Sequence, residues 1–573
     1  MRKILSYVRP YAFYMSVGMF IKFVGALMDL ALPYILAYLI DDVAPTKNVT
    51  AIYLWGVVML ICSIIAWVTN IVANRMASKV ARDTTRSIRH DLYERINNLS
   101  CRQTDEFTIP SLISRLTSDT YNIHRMLGMM QRLGVRAPIL LLGGVVVTLI
   151  MEPKLALVLV STLPILAVGV VYISRKGIPM YRVLQTAIDR MVRVVRDNIT
   201  GIRVIKALSK TEYEMRRFEG VNEEVSRKER RANIVMGATN PLMNLVLNFG
   251  LTAVIVTGAF LVNWGQTEPG NIIAFLTLFT IILNALMSIN RMFVMYSQAS
   301  ASAQRITQVL DAPMDLETEA PDVVDTGDHI RFENVSFSYN GKQNNLEGID
   351  FALKHGQTLG IMGATGSGKT TLIQLLQRFY PVSGGAIRID GANVNGIEPK
   401  RLHTMFGVAF QSDTLFADTI YENIDFGRNL PKEQIELAAR CAQAADFIDK
   451  LPDGYQHMLT SKGTNLSGGQ KQRLLIARAL AGRPEILILD DSSSALDYQT
   501  DAKMRRAVRE HYPEVTTILI AQRVSSVRTS DLILVLDEGK MLGLGSHQQL
   551  MESCEVYRET SYIQMGGGLD AQA

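Results

Sequence analysis

Apolar positions run almost unbroken through long stretches of the first half of the chain, and in the second half they fall into short runs. Residues 48–74, 155–174, 241–264 and 271–290 contain no charged residue, and each reaches the roughly 20 apolar residues that a helix needs to cross a bilayer. Residues 133–151 form a fifth, shorter stretch, charge-free from Ala137 and extended back past Arg136 through Gly134 and Leu133, and 11–40 a sixth, interrupted only by Lys22 and Asp29; no comparable run follows Arg291. The pattern therefore predicts six membrane-spanning helices. The connections between the second and third spans and between the fourth and fifth are about 55–65 residues each, far beyond an ordinary loop. Apolar residues recur there at helical spacing, as in Leu92, Ile96 and Leu99, or Ile188, Met191, Val192 and Val195, which predicts helices that continue out of the bilayer. From His329 onward, short strand patterns alternate with helical ones, the mark of an α/β domain.

Composition agrees with a membrane half and a soluble half. Of 573 residues, 48% are hydrophobic and 20% charged, which excludes a largely disordered chain. Four cysteines, at 62, 101, 441 and 554, exclude a disulfide scaffold and show no metal-ligand spacing. The net charge of +5 admits a nucleic-acid partner, but no base-stacking platform accompanies it, and the basic residues cluster elsewhere. The two long connections carry them, from Arg75 to Arg125 and from Arg175 to Lys210 and beyond, whereas the other three connections hold only Lys47 and Lys154. Basic loops stay on the cytoplasmic side, so both termini are expected there too, in a bacterial inner membrane. Residues 1–10, with Arg2, Lys3 and Arg9, predict a short interfacial helix, and no cleaved signal peptide is expected. Lys22 and Asp29 are two helical turns apart on one face, a candidate polar patch on a translocation path; Asn244, Asn248 and Asn284 are weaker candidates.

The soluble half carries the chemistry. A strand at 358–362 leads into Gly363-Ala-Thr365-Gly366-Ser367-Gly368-Lys369-Thr370, followed by a helix predicted over 371–378. This is the G-x-x-x-x-G-K-[ST] loop in its strand–loop–helix context. Its glycines let backbone N–H groups turn inward around phosphates. Lys369 brings a charge to the β- and γ-phosphates, and Thr370 a hydroxyl for Mg²⁺. A second strand, 485–490, ends in Asp490, placed for the Mg²⁺ shell as in other P-loop enzymes. Leu466-Ser467-Gly468-Gly469-Gln470 precedes an amphipathic helix predicted over 471–481. It forms a second candidate anion site, which invites a nucleotide held from elsewhere.

This combination resembles the ATP-binding cassette (ABC) exporters of the half-transporter, multidrug-exporter-like type, over essentially the whole chain. The resemblance implies a six-span helical membrane domain with long cytoplasmic extensions at 1–311, a linker at 312–328, and an ABC nucleotide-binding domain at 329–573. It identifies 466–470 with the family signature, Tyr339 with the aromatic that stacks on adenine, Gln411 with the glutamine loop that senses Mg²⁺, and 494–497 with the D-loop. The stretches 112–119 and 201–206 resemble those flanking the two coupling helices. It also implies a head-to-tail dimer with each ATP between one subunit's phosphate loop, including Thr371, and the other subunit's signature.

Two positions depart from the pattern. Where the family has a glutamate base after Asp490, this chain has Asp491, and where it has a switch histidine, this chain has Gln522. One methylene fewer withdraws the carboxylate by roughly 1–1.5 Å, enough to cost about 10²-fold in rate. Gln can hydrogen-bond a phosphate but cannot take a proton. The expectation is a chain that binds ATP and Mg²⁺, hydrolyses poorly at its own site, and pairs with a different half-transporter to export a small molecule, lipid or peptide. The competing expectation is an ATP-gated channel or regulatory subunit that switches without pumping.

Overall fold

The computed structural model describes residues 1–565 apart from 317, 321, 325, 326, 412, 413 and 492–495, and omits the side chains of Leu163, Leu166, Ala167, Val170, Ser174, Asn240, Asn290 and Met565. The chain divides into two compact units, Met1–Asn97 with Ile109–Ala312, and Asn98–Thr108 with the residues from Pro313 onward.

The first unit is helical. A short helix α1 (Arg2–Ser6) precedes α2 (Ala12–Tyr38) and α3 (Val49–Asn97). Helix α4 (Cys101–Phe107) belongs to the second unit. Then follow α5 (Ile109–Ser114), a π-turn at Arg115–Asp119, α6 (Thr120–Met151), α7 (Pro153–Thr200), α8 (Ile202–Ala207), α9 (Thr211–Gly237), α10 (Thr239–Asn263) and α11 (Pro269–Leu310). All six predicted spans fall in α2, α3, α6, α7, α10 and α11. Among the described residues, five helical stretches are long and apolar enough to cross a membrane, and α7 contributes the shorter apolar stretch Pro153–Thr162. At about 1.5 Å per residue, the 49 residues of α3 and the 48 of α7 outlast a bilayer more than twice over, as the helical spacing of the long connections predicts. The turn between α6 and α7 is only Glu152, whose extended backbone breaks the helix before Pro153 starts the next one.

Small residues let these helices approach. A Cβ on Gly144 of α6 would lie 2.7 Å from Ile282 of α11, and one on Gly250 of α10 would lie 2.4 Å from the Phe279 ring, the close contact on which apolar helices rely where hydrophobic burial cannot drive association. Large side chains such as Phe13, Tyr53, Leu157 and Ile150 point outward, exposed. Buried Asp119 accepts from Ser302 Oγ and from Arg305 Nε, each at 2.8 Å, and so ties the π-turn before α6 to α11.

The second unit holds two sheets. The antiparallel one has the order β2 (Leu346–Leu353), β1 (Ile330–Phe337), β4 (Gly384–Ile389), β5 (Ala392–Asn393). The other has the order β10-β9-β3-β8-β7-β6, with β3 (Thr358–Gly363), β6 (Phe406–Ala409), β7 (Ile486–Asp490), β8 (Thr516–Ile520), β9 (Leu532–Asp537) and β10 (Lys540–Gly545). It is parallel except for β10. Every residue of β7 is buried, as expected for a parallel strand covered on both faces. Residues in the predicted linker pair with the sheet edge: Val324 N donates to Gly391 O and Asn393 N to Asp322 O, both at 2.9 Å.

Candidate functional site

The phosphate loop leaves the end of β3 and enters helix α12 (Lys369–Leu376), which begins two residues before the predicted start. The reason is Gly368, the N-cap, at φ +100°; a Cβ there would lie 2.6 Å from Leu346 Cδ2. Gly363 is equally constrained, since a Cβ would fall 2.1 Å from Leu536 O. Only glycine permits both, and the result is a helix N-terminus whose free N–H groups open onto a cavity.

That cavity, of about 250 Å³, is lined by the predicted residues Thr365, Gly366, Gly368, Lys369, Thr370, Thr371, Gln411, Asp490, Asp491 and Gln522, with Asn345 and Ile520 added. Gly363 and Ser367 do not line it. Ser367 lies buried under the loop. Lys369 Nζ donates to Gly363 O at 2.9 Å and to Ala364 O at 2.7 Å. Thr370 Oγ1 donates to Asp490 Oδ2 at 3.2 Å. Asp490 is 3% exposed, so burial raises its pKa, and Asp491 adds to this, while the Thr370 bond and Lys369 act against them. Burial also raises the pKa of Asp491, opposed by Lys369, Arg523 and the bond from Gln411. Burial lowers that of Lys369, opposed by the two carboxylates. An adjacent hydroxyl and carboxylate, with Gln411 across the cavity, form an all-oxygen donor set, which fits Mg²⁺ and suits few softer ions.

Asp491 sits where the base is expected, at φ +47°. Its Oδ2 accepts from Gln411 Nε2 at 3.2 Å and lies 3.5 Å from Gln522 Nε2. The two departures from the family pattern thus meet at one carboxylate oxygen. Tyr339 stands beside the loop rather than in the cavity. Its ring packs edge-on against Phe337 and Tyr380, and its hydroxyl donates to Gln374 Oε1 at 2.8 Å and lies 3.2 Å from Thr371 Oγ1. Asn345 is a residue that sequence reasoning missed. It accepts from Tyr339 N at 3.1 Å and sits in a polar turn with no motif to mark it.

None of Ser467, Gly468, Gly469 and Gln470 lines the cavity among the described residues. They open helix α13 (Gly468–Ala481), which starts three residues before the predicted helix because Ser467 and Gln470 form a capping box. Gln470 Oε1 accepts from Ser467 N at 2.8 Å, so its side chain turns back onto its own helix, while Ser467 and Gly468 stay exposed. Of the D-loop, residues 494 and 495 lie outside the described residues. Leu496 is buried, and Asp497 caps helix α14 (Tyr498–His511) by accepting from Thr500 N at 2.9 Å.

Helix α4, just before the stretch 112–119, is anchored within the second unit. Tyr380 Oη donates to Asp105 Oδ2 at 2.6 Å, Gln103 Nε2 to Pro313 O at 2.6 Å, and Ser100 Oγ to Asp315 Oδ2 at 2.8 Å. Burial and the Asp105 bond both raise the Tyr380 pKa, so the hydroxyl keeps its proton.

The first unit holds another cavity, of about 540 Å³, walled mainly by Leu, Ile, Ala and Pro side chains. Its polar positions include Asp29, Arg136, Asn284 and Ser288, with Arg136 paired to Asp29 at 2.8 Å. The expected patch of Lys22 with Asp29 divides here. Lys22 turns instead toward α3, donating to Asn70 Oδ1 at 2.7 Å and Asn74 Oδ1 at 3.0 Å. A shared helix face places two residues on one side of α2, but the neighbouring helices decide what each one meets. Asn244 and Asn248 are exposed, away from this cavity.

Known proteins agree with this layout. The family profile described as ABC transporter transmembrane region matches residues 15–286, and the one described as ABC transporter matches 346–494. The uncharacterized ABC transporter ATP-binding protein YfiB of Bacillus subtilis is 33% identical over 568 residues, covering 99% of each chain. The ATP-dependent lipid A-core flippase of Pseudomonas fluorescens is 31% identical over 592 residues, covering 100% of this chain and 96% of its own. The structure of a bacterial Atm1-family ABC exporter with ATP bound has the same fold, with a TM-score of 0.83 at 24% identity, covering 97% of this chain and 98% of the other. A phosphate loop opening on buried Asp490, a signature helix outside that cavity and a membrane unit of long apolar helices meet in one polypeptide, and the chain belongs to the ABC transporters, as a half-transporter of the exporter fold.

Proposed function

We propose that this chain is the nucleotide-retaining half of a heterodimeric ABC exporter. The observation that carries the reading is Asp491: a carboxylate one methylene short, held by Gln411 and facing Gln522 instead of a histidine. The backbone of Thr365, Gly366, Ser367 and Gly368, with Lys369 and Thr371, holds the phosphates of ATP, and Tyr339 offers its face to adenine. Thr370, Gln411 and, through water, Asp490 hold Mg²⁺, which when bound neutralises charge on the β- and γ-phosphates. Asp491 reaches the water position poorly, and Gln522 can donate to a phosphate oxygen but relays no proton. Ser467 and Gly468 stand exposed, and with the half-buried Gly469 and Gln470 they complete the site of a different subunit, whose own glutamate and histidine perform the hydrolysis.

The membrane unit moves the cargo outward across a bacterial inner membrane, with both termini in the cytoplasm. The largely apolar 540 Å³ cavity with its Asp29–Arg136 pair suits an amphiphilic small molecule, lipid or peptide. The flippase among the relatives favours a lipid-like cargo. The test is transport in sealed inverted vesicles containing this chain and its partner. ATP-dependent accumulation of a labelled amphiphile against its gradient supports pumping; ATP-dependent dissipation of a gradient, with no accumulation, contradicts it.

A further inference from the structure

Strands β2, β1 and β4 are neighbours, and the register sets Ile330 opposite both Leu353 and Ile389. Just beyond these strand ends stand His329, His355 and Asp390. Backbone bonds fix two of the approaches: His329 N donates to Leu353 O at 2.8 Å, and Asp390 N donates to His329 O at 2.9 Å. The two imidazoles lie face to face, with centroids 3.8 Å apart and planes 12° from parallel. His355 Nε2 is 2.8 Å from Asp390 Oδ1. One nitrogen from each histidine and one carboxylate oxygen fall within 4.8 Å of one another.

His329 is fully buried, yet only one of its nitrogens is satisfied. Nδ1 lies 2.6 Å from Thr516 Oγ1, while Nε2 has no hydrogen-bond partner among the described residues. A buried polar atom left bare calls for an explanation. An imidazole oriented through one nitrogen by an oxygen partner, with the other nitrogen bare, is the arrangement of a metal-ligating histidine. Two imidazoles and a carboxylate suit zinc and its neighbours Co²⁺ and Ni²⁺, and differ from the all-oxygen set at Asp490. We propose that His329, His355 and Asp390 form a site for a divalent transition-metal ion of the zinc class, with water completing its coordination. The side chains of His355 and Asp390 are 61% and 48% exposed. Rotation of His355 about its side-chain torsions can therefore turn its ring edge onto the ion while His329 stays in place. The ion would join the ends of three adjacent strands.

The test is titration of the full-length, tag-free protein in detergent with Co²⁺, read by its ligand-field absorption, followed by competition with Zn²⁺ and with Mg²⁺. The informative variants are the exposed ones, His355→Ala and Asp390→Asn; asparagine tolerates the positive φ of Asp390, whereas His329→Ala risks the fold. The expected result is one Co²⁺ per chain, displaced by Zn²⁺ but not by Mg²⁺, with affinity reduced at least about 10–100-fold in each variant. Absence of Co²⁺ binding to the unmodified protein, or titrations of both variants that overlay it, would overturn the proposal.

Discussion

Lys369 lies folded against its own loop, bonded to the oxygens of Gly363 and Ala364, with burial lowering its pKa and Asp490 and Asp491 opposing that shift. Its short-range partners are interchangeable carbonyls, so its charge is free to serve a phosphate. Lys369→Ala is expected to weaken nucleotide binding to this chain by about 1.5–3 kcal/mol, the worth of a charge-assisted hydrogen bond. Photolabelling of this chain by an ATP analogue measures that loss, and unchanged labelling contradicts the assignment. Most cavity residues were legible in the sequence, because the loop spacing and the carboxylate at a strand end are local patterns. Asn345 and the burial of Ser367 were not, because each depends on β2 and β9 packing over the loop from distant parts of the chain.

Elements explain where the sequence misplaced boundaries. Both α12 and α13 begin earlier than their hydrophobic periodicity, because a glycine N-cap in one and a capping box in the other add a polar first turn with no apolar face. On the proposed reading that first turn is the functional part of each helix. In α13 it lies outside the chain's own cavity, so Ser467→Arg is expected to abolish turnover by the assembled transporter while leaving ATP bound at Lys369. The lost N-cap costs only about 1 kcal/mol of helix stability, too little to unfold the domain. Turnover near the unmodified rate would contradict action across the dimer. Helix α4 shows the limit of sequence reading more clearly. Its capping box from Ser100 to Gln103 is local, but its bond to Tyr380 spans 275 positions. Tyr380→Phe removes that bond and leaves the ring. Cargo-stimulated ATP hydrolysis is expected to fall toward the basal rate while ATP binding is unchanged; equal stimulation in the variant contradicts a role for the contact.

At the scale of the molecule, hydropathy alone located the apolar stretches of α2, α3, α6, α7, α10 and α11, because the bilayer's thickness imposes an apolar length that no soluble helix needs. It could not sort the polar residues within them: Lys22 meets Asn70 and Asn74, while Asp29 meets Arg136 at a cavity, and helix packing decides between such outcomes. The central claim concerns the assembly. On the proposed reading, with Asp491 and Gln522 at its own site and an exposed signature at Ser467, two copies of this chain would pair two weak sites, whereas repeated cycles need one site that turns over. The most direct measurement is ATP hydrolysis by this chain purified alone and again after co-expression with the proposed partner half-transporter, each with and without cargo. Slow hydrolysis alone, and fast, cargo-stimulated hydrolysis by the pair that survives Asp491→Asn here but not loss of the partner's catalytic glutamate, is the expected result. Robust, cargo-stimulated hydrolysis by this chain alone as a homodimer would contradict it.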